Sequence, residues 1–296
     1  MDAPDRLYRN LAVVDQWASR MLPLPSLNTN DEFMTLAMEA MNHCQCLIGV
    51  AISVVPTEVQ SEKGVTKRRA IVLGHLVRIY KLYDALRYHT AKREGDICAI
   101  FVRLLVETAA KMEYLMRARA TSFRNFVLAS YRPEREMIAD LQQKAASRPL
   151  IPIEQRMIGS IRHHLKQDRI PLKELVNNRR WDLDGKSFRQ ILTDLGRDAG
   201  YAYGFGVGSH WVHGDWFDLK RHHLRRVGGR YQPEMEQSDP DPRTACPLTI
   251  LCLSYLIDFV RWNRSDPTNA LRPIVERVLS AVRALDEAHE EWLQRQ

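Results

Sequence analysis

The segment Ser209-His210-Trp211-Val212-His213-Gly214 concentrates the side chains best suited to moving a proton. Imidazole titrates near neutral pH. On a helix, Ser209 and His213 would share a face at i, i+4, and His210 would neighbour His213 at i, i+3. Three chemistries fit that placement. His213 could serve as a general acid or base. Ser209 beside a histidine suggests a nucleophile and its base, although no acid stands at a diagnostic spacing. His210 and His213 could ligate a metal if carboxylates such as Glu107 or Asp215 joined them. The plain alternative is that both histidines cap a helix end through backbone hydrogen bonds.

A second candidate lies far upstream. Arg103, Glu107 and Lys111 follow one another at intervals of four within Ile97–Met116, whose other positions are mostly apolar. They form one stripe, which is either a solvated edge of ion pairs or a charged pair facing a cleft. A third is the densest basic run in the chain, Lys220-Arg221-His222-His223-Leu224-Arg225-Arg226, with Arg230-Tyr231 just beyond and Trp211, Trp216 and Phe217 just before. Positive charge interleaved with aromatic rings suits phosphate contact and base stacking, with Lys220, Arg221, Arg225, Arg226 and Arg230 as the contacting cations. The competing reading is a solvated loop balanced by Glu234, Glu236, Asp239 and Asp241. His43-Cys44 and Cys46 sit in an apolar pattern and read as core.

The elements that would position these residues follow a 3.6-residue period, with few alternating runs. Helices are expected over Leu7–Met21, Asp31–Val55, Val65–Glu94, Ile97–Arg119, Ser122–Ala146, a short stretch ending near Lys166, Ser187–Tyr203, Ala245–Arg264 and Thr268–Arg295. Pro23 and Pro25 end the first, and the Asn28-Thr29-Asn30 cluster ahead of Asp31-Glu32 reads as the start of the second, with a cap and acids in its first turn. Glycines 204, 206 and 208 disfavour a helix interior, and Trp216–Gln232 reads as a small hairpin turning at Gly228-Gly229. The expectation is an all-α fold. A single multi-helix, bundle-like domain over 31–296 follows an N-terminal arm, 1–30, and carries an irregular insertion or small hairpin near 204–243.

Length and composition bound the classes. The chain has 296 residues, 45% hydrophobic and 27% charged, enough for a sizeable core. Its net charge of +7 favours encounters with polyanions. Five cysteines, an odd number, argue against a disulfide scaffold. The start Met1-Asp2-Ala3-Pro4 does not read as a signal peptide, and the apolar stretches Leu47–Val55 and Ala245–Ile257 fall short of the roughly 20 residues a bilayer span needs. The expected compartment is the cytoplasm, with no membrane partner and no cofactor. No phosphate-binding glycine loop, HExxH or GxSxG element is present.

Arg78–Leu115, with its Gly95-Asp96 break and Ala99-x-x-x-Arg103-Leu-x-x-Glu107, is followed much later by Tyr203 and Ser209-x-x-x-His213-Gly214. In that order these resemble a bacterial family known as domain of unknown function 5677, over about residues 70–262. The resemblance implies an all-α bacterial cytosolic protein without an assigned activity. It also implies that Arg103, Glu107, Ser209 and His213 meet in space. HEPN-type ribonucleases offer a weaker comparison: the Arg–His spacings here lack the polar residue that usually follows the arginine. Three functions are therefore expected in this order: a binding or effector module with affinity for a polyanion such as RNA; a ribonuclease-like enzyme with His213 and Glu107 in acid/base roles; and a metal-dependent hydrolase using His210 and His213. Self-association into a homo-oligomer is left open.

Overall fold

Thr29, within the Asn/Thr cluster where a helix start is expected, caps the first long helix of the core. Its Oγ1 accepts from the Glu32 N–H at 3.2 Å, and Glu32 Oε2 accepts from the Thr29 N–H at 3.2 Å. Two otherwise orphaned donors are satisfied reciprocally. The computed structural model describes residues 3–54, 64–177, 183–198, 206–264, 266 and 269–296. Tyr203, Gly204, Asp182 and most of the polar loop after Pro56 lie outside the described residues.

The fold is all-α, with one two-stranded sheet among the described residues. In chain order the first helices are α1 (Ala3–Arg20), α2 (Asn30–Ser53), α3 (Lys67–Ala91) and α4 (Gly95–Arg117). Then come α5 (Ala120–Ser130), α6 (Arg132–Ser147), α7 (Pro152–Gln167), α8 (Leu172–Asn177) and α9 (Phe188–Asp194). The site-bearing segment holds α10 (Val207–His213), the helical turn α11 (Trp216–Asp218) and the strands β1 (Leu224–Val227) and β2 (Arg230–Pro233). Helices α12 (Pro242–Asn263) and α13 (Leu271–Gln294) close the chain.

Two compact units result, one formed by Met1–Met116 with Leu192–Gln296 and the other by Arg117–Ile191. In the larger unit α2, α12 and α13 pack on one another, with α3 against α2 and α1 against α13. α3 buries Val72, Leu76, Ile79, Tyr83 and Leu86, alternating steps of four and three that keep one face inward. The buried Tyr83 hydroxyl meets Thr249 Oγ1 of α12 at 2.6 Å. By length and composition α12 could cross a membrane, yet 56% of its most apolar window is buried inside the fold, as befits a core helix. Cys44, Cys98, Cys246 and Cys252 are buried and unpaired, and burial pushes the Cys44 and Cys246 thiols up to about 12. They are inert packing groups.

In the smaller unit Leu128, Ile138, Ile161, Leu165, Ile170 and Leu175 form a separate core. The continuous helix expected over Ser122–Ala146 is instead two, parted at Tyr131. Pro133 has no N–H to continue α5 and sits in the first turn of α6, where none is needed.

The expected hairpin over Trp216–Gln232 is shorter than its sequence suggested. Its turn is at Gly228-Gly229, with φ of +54° and +81°, the left-handed geometry of a type I′ turn. Residues Trp216–His223 are helical, ending in a wide π turn over Leu219–His223. Asp215 explains why: its Oδ1 accepts from the N–H groups of Phe217 (3.0 Å) and Asp218 (3.2 Å) and nucleates a turn. The glycine-rich approach to Ser209 is likewise helical from Val207 onward.

Candidate functional site

Gly208 is where the two distant segments meet. A Cβ placed there would lie 3.0 Å from Arg103 Cβ and 3.2 Å from the Arg103 backbone nitrogen. A side chain there would crowd Arg103 more tightly than ordinary contact, so glycine favours this close approach of α10 to α4. The helix-weakening residue is thus the one that suits the junction.

At that junction Arg103 Nη1 donates to Ser209 Oγ at 2.6 Å and meets His213 Nε2 at 3.1 Å. A guanidinium has donors only, so His213 Nε2 accepts and the neutral ring carries its proton on Nδ1. Arg103, Ser209 and His213 therefore come together. Glu107 does not join them. Its Oε1 accepts from Lys111 Nζ at 2.5 Å in an i, i+4 pair, each side chain about a third exposed. The expected contact of Glu107 with His213 gives way to a nearer cation on its own helix.

His210 and His213 also diverge. His210 Nδ1 contacts Asp215 Oδ2 at 2.5 Å, while His213 faces Arg103. The His210 hydrogen bond, with help from the two backbone N–H groups, holds the Asp215 carboxyl below its usual range. Among the described residues no group of three or more His, Cys, Asp or Glu side chains is arranged to hold a metal ion. The two rings, expected as possible joint metal ligands, hydrogen-bond to different partners.

The sequence pattern missed the centre of this region. Asp96, in the first turn of α4, is 8% exposed at its side chain and accepts from His222 Nδ1 at 2.6 Å. It also accepts from the Ser238 N–H at 3.3 Å and from the Ser238 hydroxyl. His222 Nε2 in turn accepts from the Trp211 indole N–H at 3.1 Å. The ring is thus fixed as the Nδ1–H tautomer, with both nitrogens engaged. The Gly95 N–H donates to the Ser238 carbonyl at 2.8 Å, and a Cβ on Gly95 would lie 2.5 Å from that oxygen. Arg93 clamps the next residue, Asp239, through Nε at 2.8 Å and Nη2 at 2.9 Å. One signal was available: Asp96, Arg103 and Glu107 are spaced at i, i+7 and i+11, one face of α4.

The basic run lies on the exposed outer surface of the segment. Arg225 pairs with Glu234 at 3.7 Å, and Lys220 Nζ lies 5.8 Å from the Phe217 ring. Arg226 is register partner to Tyr231, and Arg230 to Val227. Opposite residues in an antiparallel pair share a face, so Arg226 and Tyr231 stand side by side. Trp216, 54% exposed, packs edge-on against Tyr231, 43% exposed, with ring centroids 5.3 Å apart. Arg221 turns instead towards a cleft that also contains Trp211 and His222.

A family model described as a family of unknown function (DUF5677) matches residues 69–230, just over half of the chain, ending at the first residue of β2. No curated protein and no solved structure matches.

Proposed function

We propose, from the premise that the chain belongs to the family of unknown function DUF5677, that it is a binding module for single-stranded RNA. The carrying observation is the Trp216–Tyr231 ring pair, exposed beside Arg226 on the hairpin. Large aromatic surface left in water is costly unless something covers it. Every nucleobase has a face that stacks on such rings, and the flanking cations fit the phosphates between bases. Lys220, Arg221, Arg226 and Arg230 are exposed and in no ion pair among the described residues. The compartment this reading requires is one that contains RNA, such as the cytoplasm.

Fluorescence anisotropy with labelled oligonucleotides tests it. Binding should weaken about fivefold or more for Trp216→Ala and for Tyr231→Ala, because base stacking contributes about 1–3 kcal/mol per base. If Lys220, Arg221, Arg226 and Arg230 each meet a phosphate, log K should fall with log salt with a slope near about −3. No binding at low salt, or equal binding by both variants, refutes the reading.

The ribonuclease alternative draws on one arrangement, Arg103 hydrogen-bonded to both Ser209 and His213. A guanidinium beside a neutral imidazole can stabilise a phosphate while the ring takes a proton. Glu107, held by Lys111, has no part in that version. Cleavage by the wild type that persists undiminished in His213→Ala would eliminate it.

A further inference from the structure

A cleft of about 630 Å³ opens beside the hairpin surface, within the range of roughly 300–1,000 Å³ typical of small-molecule sites. Its inner wall is apolar: Leu86 of α3, Cys98 and Ala99 of α4, and Ala245 of α12. Trp211, His222 and residues 238–241 also line it, His222 and Ser238 both held on the Asp96 carboxylate.

The charges along the rim largely cancel. Asp241 pairs with Arg243 at 2.7 Å, Asp239 with Arg93 at 2.8 Å, and His222 with Asp96 at 2.6 Å. Trp211 N–H and both His222 nitrogens are engaged with each other and with Asp96. Arg221 is left. It is exposed, lines the cleft, and makes no hydrogen bond or ion pair among the described residues. An apolar slot walled by an indole, with one uncompensated guanidinium at its mouth, suits a flat body carrying an anionic group.

We infer that this cleft is a nucleotide pocket, taking one unstacked base of a bound strand, or a free nucleoside monophosphate, with the phosphate on Arg221. The identity of the ligand rests on the RNA reading above; the shape and charge of the cleft do not. Arg221 belongs to the same basic run as Lys220 and Arg226, so a strand lying on the hairpin would reach the cleft without leaving the basic surface.

Calorimetric titration of the full chain with UMP, AMP, uridine and inorganic phosphate tests the pocket. The monophosphates should bind, and uridine and phosphate should each bind at least about tenfold more weakly, since a hydrogen bond to a charged group is worth about an order of magnitude or more in affinity. Arg221→Gln, at an exposed position, should weaken UMP binding by a similar factor, whereas Asp31→Ala, 83% exposed and outside both surfaces, should leave it unchanged. Monophosphates that fail to bind at millimolar concentration while single-stranded RNA binds overturn the pocket and leave the strand reading standing. Monophosphate binding without strand binding supports the pocket and overturns the strand reading. Equal UMP binding by wild type and Arg221→Gln, or equal binding of phosphate and UMP, overturns the assignment.

Discussion

Asp96→Ala should loosen the whole site without touching any residue on its outer surface. The wild-type carboxylate is nearly buried and accepts from the His222 imidazole at 2.6 Å, from the Ser238 hydroxyl and from the Ser238 N–H. Hydrogen bonds to a charged group contribute about 1.5–3 kcal/mol each, and removing one partner leaves the others unsatisfied. The imidazole and hydroxyl bonds alone would suggest about 3–6 kcal/mol. Water can reach the Ser238 side, so the lower end, about 3 kcal/mol, is expected. At about 2–4 °C per kcal/mol for a domain of this order of size, the melting temperature should fall by roughly 6–12 °C. Amide exchange separates local from global effects: the amides of residues 219–223, 238, 239 and 241 should exchange first and fastest. Asp31→Ala is the control, since Asp31 is 83% exposed and meets Arg93 only at 4.0 Å. A melting temperature for Asp96→Ala within about 2 °C of wild type, with unchanged exchange at 219–223, 238, 239 and 241, would refute the role given to this carboxylate.

Glu107→Gln should cost little, about 0.3–0.5 kcal/mol for an i, i+4 pair exposed to solvent; a thermal melt showing a drop many times larger would mean that Glu107 supports the site after all. Gly208→Val should drive α10 off α4, because its Cβ meets Arg103 Cβ and backbone at 3.0–3.2 Å; amide exchange at residues 209–213 should then accelerate, and unaltered exchange would count against the close junction. Acidification should destabilise the fold between pH 7 and pH 5. Burial holds His43, His75 and His289 below the usual imidazole value. Their neutral forms favour the folded state, so this contribution is present above about pH 6.5 and is lost as pH falls towards the lowered values. Melting curves across that range should shift downward, and less so in His75→Gln; a flat profile would contradict it.

Much of the scaffold was legible because its signals are local. The Asn28-Thr29-Asn30 cluster ahead of Asp31-Glu32 marked the start of α2, and the 3.6-residue period marked α3, although which of its apolar residues face inward (Val72, Leu76, Ile79, Tyr83 and Leu86) is seen only in the structure. The turn at Gly228-Gly229 was equally plain, since adjacent positive φ angles call for glycine. The helical turn at Trp216 was not, because the aromatic and basic residues there suit a strand as well, and the deciding cap is the single carboxylate of Asp215. The meeting of Arg103 with Ser209 and His213 came from the order of motifs in the resembling family and not from spacing. Where that expectation failed, at Glu107, a lysine one turn away on the same helix is the nearer partner. Asp96 read only as part of the break between two helices. Its real partners, His222 and Ser238, are more than a hundred residues distant, beyond the reach of any periodicity. Gly208 looked like a reason against a helix, when its missing side chain is what lets two helices touch.

The hydroxyl contact between Tyr83 and Thr249 has a practical consequence for anyone wishing to express the family-matched part alone. Residues 69–230 contain α3 but neither α2, which it packs against, nor α12, which receives its tyrosine. Excised at those limits, α3 would present Val72, Leu76, Ile79, Tyr83 and Leu86 to water. At about 1.5–3 kcal/mol for each large apolar side chain, that loss is of the order of a domain's entire net stability. Such a fragment should collect in inclusion bodies, and a soluble piece must extend in both directions to recover its missing neighbours.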